Sequence, residues 1–250
     1  MKNSIFLSFL FSFQIVAGPE PSLIGGRPAN RGEYPEIVYI RSGNARCSAT
    51  IVGPEVILTA GHCVADQGSI GPVAEIVDFV IDQTAYTAKC RQAPLYRDNI
   101  EDHDVALCKV DKSMDVVPAK ISSEGPKIGQ EVILTGYGCV KEGGGGGNDG
   151  ILRVGKSRVT QLPQGSNHWF YTRSATALCY GDSGGPSLLV SDKHLLIGVN
   201  SRGNIKDLSL LTALYTAESM EFLNAFAEEE NVEICGITSA CDTQDRRMGR

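Results

Sequence analysis

One segment of the sequence places a serine among glycines. Residues 181–186 read GDSGGP, so Ser183 has Gly181, Gly184 and Gly185 as near neighbours. Glycines permit tight turns and let a ligand approach the backbone closely. The N–H groups of such a turn can point together, and two convergent donors stabilise the oxyanion of a tetrahedral intermediate. The segment predicts an exposed nucleophile, although a glycine-rich hairpin with an ordinary serine has the same composition.

His62 is the candidate general base for this nucleophile. A serine hydroxyl is weakly nucleophilic at neutral pH, so a base must accept its proton as it attacks. His62 lies in the segment LTAGHC, residues 58–63, where it ends an apolar stretch beside Cys63. A histidine in such a place is, on its own, more often a core residue than a catalyst. The presence of Ser183 in the same chain favours the catalytic interpretation.

A serine and histidine pair requires a buried carboxylate that fixes the histidine tautomer and stabilises its protonated form. Asp104 comes directly before the apolar segment VAL at residues 105–107 and is the candidate. Its neighbours Glu101 and Asp102 are competitors, but they belong to a polar stretch in which solvated loop carboxylates are expected. The sequence therefore favours Asp104 as the third member of the catalytic set.

Short β-type segments separated by turn residues make up the middle of the chain and must position these side chains. They occupy residues 36–40, 49–52, 56–59, 73–81, 105–110, 132–135, 152–159, 169–172, 187–190 and 195–199. Their even spacing predicts an all-β barrel or sandwich. Helical periodicity occurs only near the end, where Thr216 is a suitable N-cap before Met220, Leu223 and Phe226. We therefore expect one C-terminal helix on an all-β body.

The N-terminus has the features of a secretory leader. Lys2 precedes an apolar stretch at residues 5–17, which ends in the small residues Ala17 and Gly18. These are the three regions of a signal peptide. The stretch is shorter than the roughly 20 apolar residues that a bilayer core requires. We expect a signal peptide at 1–17 and a protein secreted to the extracellular space or the periplasm, without a membrane anchor.

Composition excludes two classes of ligand. The net charge is −6 and the pI is about 5.3, with no basic stripe, so no binding of nucleic acid is expected. The sequence has no C-x-x-C pair and its four histidines are scattered, so no metal site is expected. Eight cysteines in an exported chain predict four disulfides, whose connectivity the sequence leaves open.

Three motifs, in this order, resemble the signatures of the chymotrypsin and trypsin-like serine peptidases. They are TAGHC at residues 59–63, DVAL at 104–107 and GDSGGP at 181–186. Residues 24–27 (IGGR), 32–35 (GEYP) and 136–138 (GYG) are similar to the family's new N-terminus, its entry into the first barrel and its turn before the autolysis loop. The resemblance spans nearly the whole mature chain. It implies two packed six-stranded antiparallel β-barrels and a C-terminal helix, with a crossing between the barrels near residues 116–126.

The resemblance assigns a role to each catalytic candidate. Ser183 is the nucleophile, His62 is the general base and then the acid, and Asp104 is the orienting carboxylate. The N–H groups of Gly181 and Ser183 form the oxyanion hole. The implied activity is that of a secreted serine endopeptidase that hydrolyses peptide bonds through an acyl-enzyme intermediate.

The resemblance also implies a maturation step. The implied segments are a signal peptide at 1–17, a propeptide at 18–23, a protease domain at 24–235 and a tail at 236–250. Cleavage before Ile24 creates an α-amino group that pairs with Asp182. Because this cut follows the apolar residue Leu23, a pocket for apolar side chains would let one molecule of the enzyme activate another, although an unrelated apolar-specific protease would satisfy the same residue.

Five residues are implied in substrate binding. The position six residues before the nucleophile, which is the base of the S1 pocket in the family, is Ala177, and Leu178 borders it. Gly203 and Ala213 form its walls. An uncharged base leaves a Lys or Arg side chain without a partner, so cleavage after mid-sized apolar residues such as Leu, Met or Phe is expected. Ser201 and Gly203 belong to the strand that pairs with an extended substrate.

The chain departs from the family pattern at a few positions. Gly61 replaces the usual alanine before the histidine, a change that should be tolerated, and Arg202 replaces a tryptophan that forms an apolar shelf for the P4 side chain. Cys179 lacks its usual partner after Gly203, and Cys139 is the substitute. The other implied pairs are Cys47 with Cys63, which matches the family's histidine-loop bridge, Cys90 with Cys108, and Cys235 with Cys241.

Other classes of function remain to be distinguished. No cofactor is expected, and the partners implied are a polypeptide substrate and protein inhibitors of a monomeric enzyme. The main alternative is a catalytically weak secreted binding protein on the same fold. Inactive relatives typically lose a member of the triad, whereas this chain retains all three. An esterase is less favoured because the chain lacks the alternating βαβ pattern that carries a nucleophile elbow.

Overall fold

The computed structural model describes residues 23–64, 75–98, 102–146 and 149–241. The predicted signal peptide at 1–17, the propeptide up to residue 22 and the tail beyond Cys241 lie outside the described residues. In the described part of the chain, no helix has the length and apolar character needed to cross a membrane.

Six antiparallel strands form the first closed barrel. The short strand β1 (Arg27–Pro28) is followed by β2 (Ile37–Ser42), β3 (Ala45–Gly53), β4 (Val56–Thr59), β5 (Glu75–Ile81), β6 (Thr84–Gln92), the helix α1 (Pro94–Asp98) and β7 (Ala106–Val110). The barrel closes in the order β2-β3-β4-β7-β6-β5. In β6, Tyr86, Ala88 and Cys90 face inward while Thr87 and Lys89 are exposed, as the two-residue period of a strand requires.

The second barrel is built in the same way. Its chain order is β8 (Lys120–Ile121), β9 (Glu131–Gly136), β10 (Arg153–Gln161), β11 (Trp169–Arg173), β12 (Pro186–Leu189), β13 (Leu195–Gly203) and β14 (Leu208–Ala213). Six of these strands pair in the order β9-β10-β11-β14-β13-β12, and pairing of β12 with β9 closes the ring. The predicted all-β fold of two six-stranded antiparallel barrels is confirmed.

Apolar side chains fill both barrels. The larger cluster of buried residues fills the first barrel, with Ile51 and Leu107 among its members, and extends into the second barrel through Leu188 and Val199. The smaller cluster occupies the second barrel and includes Phe170 and Leu211. Full burial of such side chains contributes about 1.5–3 kcal/mol each, so the barrels are firm supports for the loops between them.

The predicted C-terminal helix is confirmed as α2 (Ala217–Glu230). The Thr216 hydroxyl caps it by accepting the Ser219 N–H at 3.3 Å. Phe222, Leu223 and Phe226 are buried in the larger cluster, although the helix follows the second barrel in sequence. The Lys109 ammonium in β7 donates to Glu230 O at 2.7 Å, so the helix ties the end of the chain to the first barrel.

Candidate active site

Paired strands of the first barrel bring His62 and Asp104 together. His62 lies in a 3₁₀ turn, Gly61–Cys63, just after β4, and Asp104 lies just before β7. β4 and β7 are antiparallel, with Thr59 opposite Ala106, so the end of one strand meets the start of the other. His62 Nδ1 is 2.7 Å from Asp104 Oδ2, and the His62 N–H donates to Asp104 Oδ1 at 2.8 Å. Two hydrogen bonds thus orient the histidine.

Asp104 is fully buried, yet its surroundings favour the ionised form. Burial raises the pKa of this carboxyl, but the hydrogen bonds and charge of His62 and the hydrogen bond of Ser201 outweigh burial and hold the pKa below its usual value. The Ser201 hydroxyl donates to Asp104 Oδ2 at 2.6 Å, and the Thr212 hydroxyl donates to Asp104 O at 3.1 Å. Both hydroxyls come from the second barrel, so the site lies at the junction of the barrels.

The glycine before His62 has a packing reason. A Cβ at Gly61 would lie 2.8 Å from Cδ1 of Tyr96 and 3.1 Å from Asp104 Oδ1. Tyr96, in α1, is buried and occupies this space. In this chain glycine is therefore the residue that fits between the aromatic ring and the carboxylate.

Ser183 lies on a tightly packed turn beside the same site. The Ser48 N–H donates to Ser183 O at 2.8 Å, and the Ser183 hydroxyl donates to Ser201 O at 3.3 Å. Gly184 has a φ of +80°, and a Cβ there would lie 2.0 Å from Thr59 Oγ1. The glycine after the serine is thus required both by its left-handed conformation and by the close approach of β4.

A cavity of 420 Å³ has both His62 and Ser183 in its wall. Of the predicted substrate-binding residues, Leu178, Ser201 and Gly203 also line it. Ala177 and Ala213 are fully buried and are not among the lining residues. Two of the five predicted substrate-binding residues are therefore not exposed to the cavity.

Four further residues line the cavity that are not among the five predicted substrate-binding residues: Cys179, Tyr180, Arg202 and Ile205. Tyr180 is 67 % exposed, and its position three residues before the nucleophile is a signal that could have identified it. Ile205 also accepts the Gly143 N–H at its carbonyl oxygen, at 3.1 Å, and such a contact between two loops leaves no local sequence pattern.

The candidate oxyanion donors lie on the turn of the nucleophile. Gly181 has a φ of +99°, a conformation that favours glycine. Its carbonyl oxygen accepts the Ser48 hydroxyl at 2.9 Å, which fixes the turn to β3. In the described part of the chain, the N–H groups of Gly181 and Ser183 make no hydrogen bond with other protein groups.

Asp182 is fully buried next to the nucleophile. Its two carboxylate oxygens accept the N–H groups of Gly138 and Cys179, each at 2.8 Å. Burial raises the pKa of Asp182 to about 7, against the opposing effects of these two hydrogen bonds and the charge of Arg153. A Cβ at Gly138 would lie 2.6 Å from this carboxylate, so the GYG motif makes room for it.

The first described residues run past this carboxylate. Leu23 is fully buried in the smaller cluster, and its N–H donates to Cys139 O at 3.1 Å. Ile24 forms a β-bridge with Ala177, whose N–H donates to Ile24 O at 3.0 Å. The N–H of Leu23, rather than that of Ile24, therefore binds Cys139. Cys139 directly follows Gly138, whose N–H binds the Asp182 carboxylate.

The cysteines are joined in the four pairs that the sequence analysis proposes. They are Cys47–Cys63, Cys90–Cys108, Cys139–Cys179 and Cys235–Cys241. The first fixes the His62 turn to β3, and the third ties the turn after β9 to the segment that precedes the nucleophile. His62, Cys47 and Cys63 have ligand atoms within 4.8 Å of one another, but the disulfide leaves no thiolate there to bind a metal.

Two antiparallel barrels with a serine, a histidine and a buried carboxylate at their junction define a double-barrel serine peptidase. A family model described as Trypsin matches residues 23–221, most of the chain, and its match begins at Leu23. The chain belongs to the trypsin family and is a serine endopeptidase.

Individual relatives agree with this assignment. The chain is 27 % identical to Serine protease SP24D of Anopheles gambiae, over 71 % of this chain and 70 % of that protein. It is also 27 % identical to a trypsin-like protease of Streptomyces glaucescens, over 79 % of this chain and 78 % of that protein. The fold is similar to that of neuropsin, a serine protease expressed in the limbic system of mouse brain, with a TM-score of 0.63, 21 % identity, and coverage of 82 % of this chain and 98 % of neuropsin.

Proposed function

We propose that Ser183, His62 and Asp104 are the catalytic triad of this endopeptidase. The observation that carries the assignment is the network in which buried Asp104 holds His62 by two hydrogen bonds, beside Ser183 in one cavity. An imidazole held in this way turns its Nδ1–H to the carboxylate and keeps Nε2 available to accept a proton. The arrangement suits a base that activates a serine hydroxyl.

The proposed reaction has two halves. Ser183 attacks the carbonyl carbon of the peptide bond while His62 takes the hydroxyl proton, and the imidazolium then gives that proton to the leaving amine as the C–N bond breaks. Water attacks the acyl-enzyme with His62 again as base, which releases the new carboxyl group and restores Ser183. Because the Ser183 hydroxyl donates to Ser201 O in the free enzyme, it must first rotate towards the imidazole, and such contacts often tighten only when substrate binds.

We assign stabilisation of the tetrahedral oxyanion to the N–H groups of Gly181 and Ser183. Both groups are on one rigid turn, which is held to β3 through Ser48. Donors fixed in this way need no reorganisation as the negative charge develops, and removal of one such donor typically lowers kcat by about 10²–10³-fold.

Labelling with a fluorophosphonate tests the triad directly. The reagent phosphonylates an activated serine, so the wild-type enzyme should carry the label on Ser183. The Ser183→Ala variant should take up none and should retain the wild-type thermal unfolding curve. A secreted binding protein on the same fold, which is the alternative, would remain unlabelled even when its N-terminus is correctly processed.

For primary specificity, we propose cleavage after mid-sized apolar residues. Leu178 lines the cavity, Ala177 and Ala213 are buried, and none of the described lining residues is a carboxylate that could pair with a Lys or Arg side chain. A peptide library should select Leu, Met or Phe at P1, and Ala177→Asp should shift the selection towards Lys and Arg. Selection of a basic P1 residue by the wild-type enzyme would refute this proposal.

We propose that the enzyme is activated when the chain is cut before Leu23. The sequence-based expectation names Ile24 instead, but the N–H of Leu23 is the one that contacts the turn beside Asp182. An amine at Leu23 would lie against Cys139, the residue after Gly138, whose N–H donates to the Asp182 carboxylate, and we infer that it forms an ion pair there. The residue before the cut is then Ser22, which lies outside the described residues, and the apolar match that favours self-activation no longer applies.

We further propose a secreted protein. Four disulfides form and persist mainly in oxidising compartments, which agrees with the predicted signal peptide at 1–17. The protease domain then runs from the new N-terminus to about residue 235, with a tail at 236–250. Its expected substrates are polypeptides, and we expect a monomer that protein inhibitors can block at the cleft.

A further inference from the structure

Arg202 lies at the edge of the active-site cavity and carries a positive charge. Its side chain is exposed and lines the cavity beside Ser201 and Gly203. Among the described residues, no carboxylate forms an ion pair with it. Its guanidinium carbon is 5.5 Å from the centroid of the Trp169 ring. This cation–π contact restrains the side chain without neutralising its charge.

A β-bulge at Ser201 determines which side chains of β13 face the site. β13 advances from Asn200 to Arg202 while its partner β14 advances by a single residue, so Ser201 is the extra residue. Bulges of this kind re-aim side chains next to active sites. Ser201 is buried with its hydroxyl on Asp104, whereas Arg202, the next residue, extends into the cavity wall.

The end of β13 has an edge on which an extended substrate can pair. β12 pairs with β13 only as far as Val199, which leaves the side of residues 201–203 that faces away from β14 without a strand partner among the described residues. Backbone pairing at such an edge is how many proteins bind extended peptides.

The nucleophile sets the register of this pairing. The Ser183 hydroxyl, which attacks the carbonyl carbon of P1, donates to Ser201 O. The P1 residue therefore lies opposite Ser201. In an antiparallel arrangement P2 is then opposite Arg202 and P3 is opposite Gly203. Directly opposite residues share one face of a sheet, and diagonal neighbours two positions along remain within reach of long side chains. P2 and P4 therefore face Arg202, whereas P3 faces the other way.

We propose that Arg202 makes this enzyme select substrates with an acidic side chain at P2 and, more weakly, at P4. The proposal rests on the proposed function, because the register depends on Ser183 as nucleophile. Asp or Glu at these positions gains an ion pair with a guanidinium that is already oriented, and Lys or Arg is repelled. Since the pair is exposed to solvent, we expect about a fivefold gain in kcat/KM for Glu over Gln.

Matched peptide substrates test the proposal. All carry the same apolar P1 residue, and Glu, Gln or Lys is placed in turn at P2, P3 or P4. The expected order of kcat/KM is Glu, then Gln, then Lys at P2 and P4, with no such order at P3. The preference should weaken at about 0.5 M salt, because exposed charges are screened within a few ångströms at high ionic strength.

Substitutions at Arg202 separate its charge from other causes. Arg202→Gln should abolish the order of kcat/KM among the Glu, Gln and Lys substrates, and Arg202→Glu should reverse it. Arg202→Lys should keep the preference for Glu over Lys. Arg41→Gln is the matched control, because Arg41 is also exposed and also lies over an aromatic ring, 5.9 Å from the centroid of Tyr39, but it does not line the cavity. The control should keep the wild-type preference.

The outcomes distinguish this proposal from the one on which it rests. Equal rates for Glu and Lys at P2 and P4 in the wild type, or a preference that survives in Arg202→Gln, would overturn the role of Arg202 while cleavage and fluorophosphonate labelling persist. If the triad assignment itself is wrong, none of the peptides is cleaved and Ser183 carries no label.

Discussion

Replacement of Asp104 by asparagine should lower kcat by about four orders of magnitude and leave the fold intact. This magnitude is taken from the trypsin-type triad, the family to which the chain belongs, where asparagine keeps the geometry but selects the wrong imidazole tautomer. The same reason applies here because Asp104 accepts hydrogen bonds from the ring and the backbone of His62 and from Ser201. Steady-state kinetics on a peptide substrate, with circular dichroism as a check of folding, measures the effect.

Asp102→Asn is the matched control for this substitution. Asp102 is two residues away in sequence, but it serves a different histidine: its Oδ2 is 3.0 Å from His168 Nδ1, and its Oδ1 accepts the His103 N–H at 2.8 Å. The control should lower thermal stability and keep kcat close to the wild-type value. Equal loss of kcat in both variants would mean that the wrong carboxylate has been assigned to catalysis.

A mature chain that begins at Leu23 should be at least about a hundredfold more active than one that begins at Ile24. In the first chain we expect the new amine to pair with Asp182, whereas the second chain lacks this cation, and a buried charge that loses its partner typically costs about 3–5 kcal/mol. Both chains can be released from a fusion protein by a protease that cuts directly before the chosen residue. Equal activity, or a more active Ile24 chain, would restore the sequence-based assignment.

The uncut chain and the chain that begins at Leu23 should also differ in how their stability depends on pH. In the uncut chain the pKa of Asp182 is raised to about 7, from about 4 in an unfolded chain. Because the carboxyl group then binds its proton more tightly in the folded chain, it contributes its full stabilisation of the fold below about pH 4. This contribution is lost as the pH rises through about 7. The Leu23 amine should keep the carboxylate ionised and remove this loss. The Tm of the Leu23 chain should therefore gain on that of the uncut chain between pH 4 and pH 7.

This gain is best measured in the Ser183→Ala background, where no self-digestion can occur. The loss in the uncut chain is on the order of a few kcal/mol, or about 10 °C in Tm for a domain of this size. Asp182→Asn in the uncut chain removes the titrating group and should flatten its Tm over this pH range. A Tm difference that stays constant from pH 4 to pH 7 would contradict the ion pair.

Local patterns predict strands only where apolar residues mark them. β4 and β7 are predicted because nearly every residue in them is apolar and buried, as two-sided burial in a closed barrel requires. The pattern does not predict β6, whose sequence TAYTAKCRQ alternates small, polar and charged residues. Its place in the sheet depends on pairing with β5 and β7, and that pairing is absent from any local window of sequence.

The sequence by itself determined the chemistry, because a serine among glycines, a histidine after an apolar strand and a carboxylate before another are recognisable from residue type and order. Only the tertiary structure decided which of Asp102 and Asp104 meets His62. It also decided that the N–H of Leu23 binds the carbonyl oxygen of Cys139 and that Arg202 lines the cavity. The reason is physical: these contacts join residues far apart in the chain, such as Ser201 and Asp104, which are 97 positions apart, and only the packing of the two barrels brings them together.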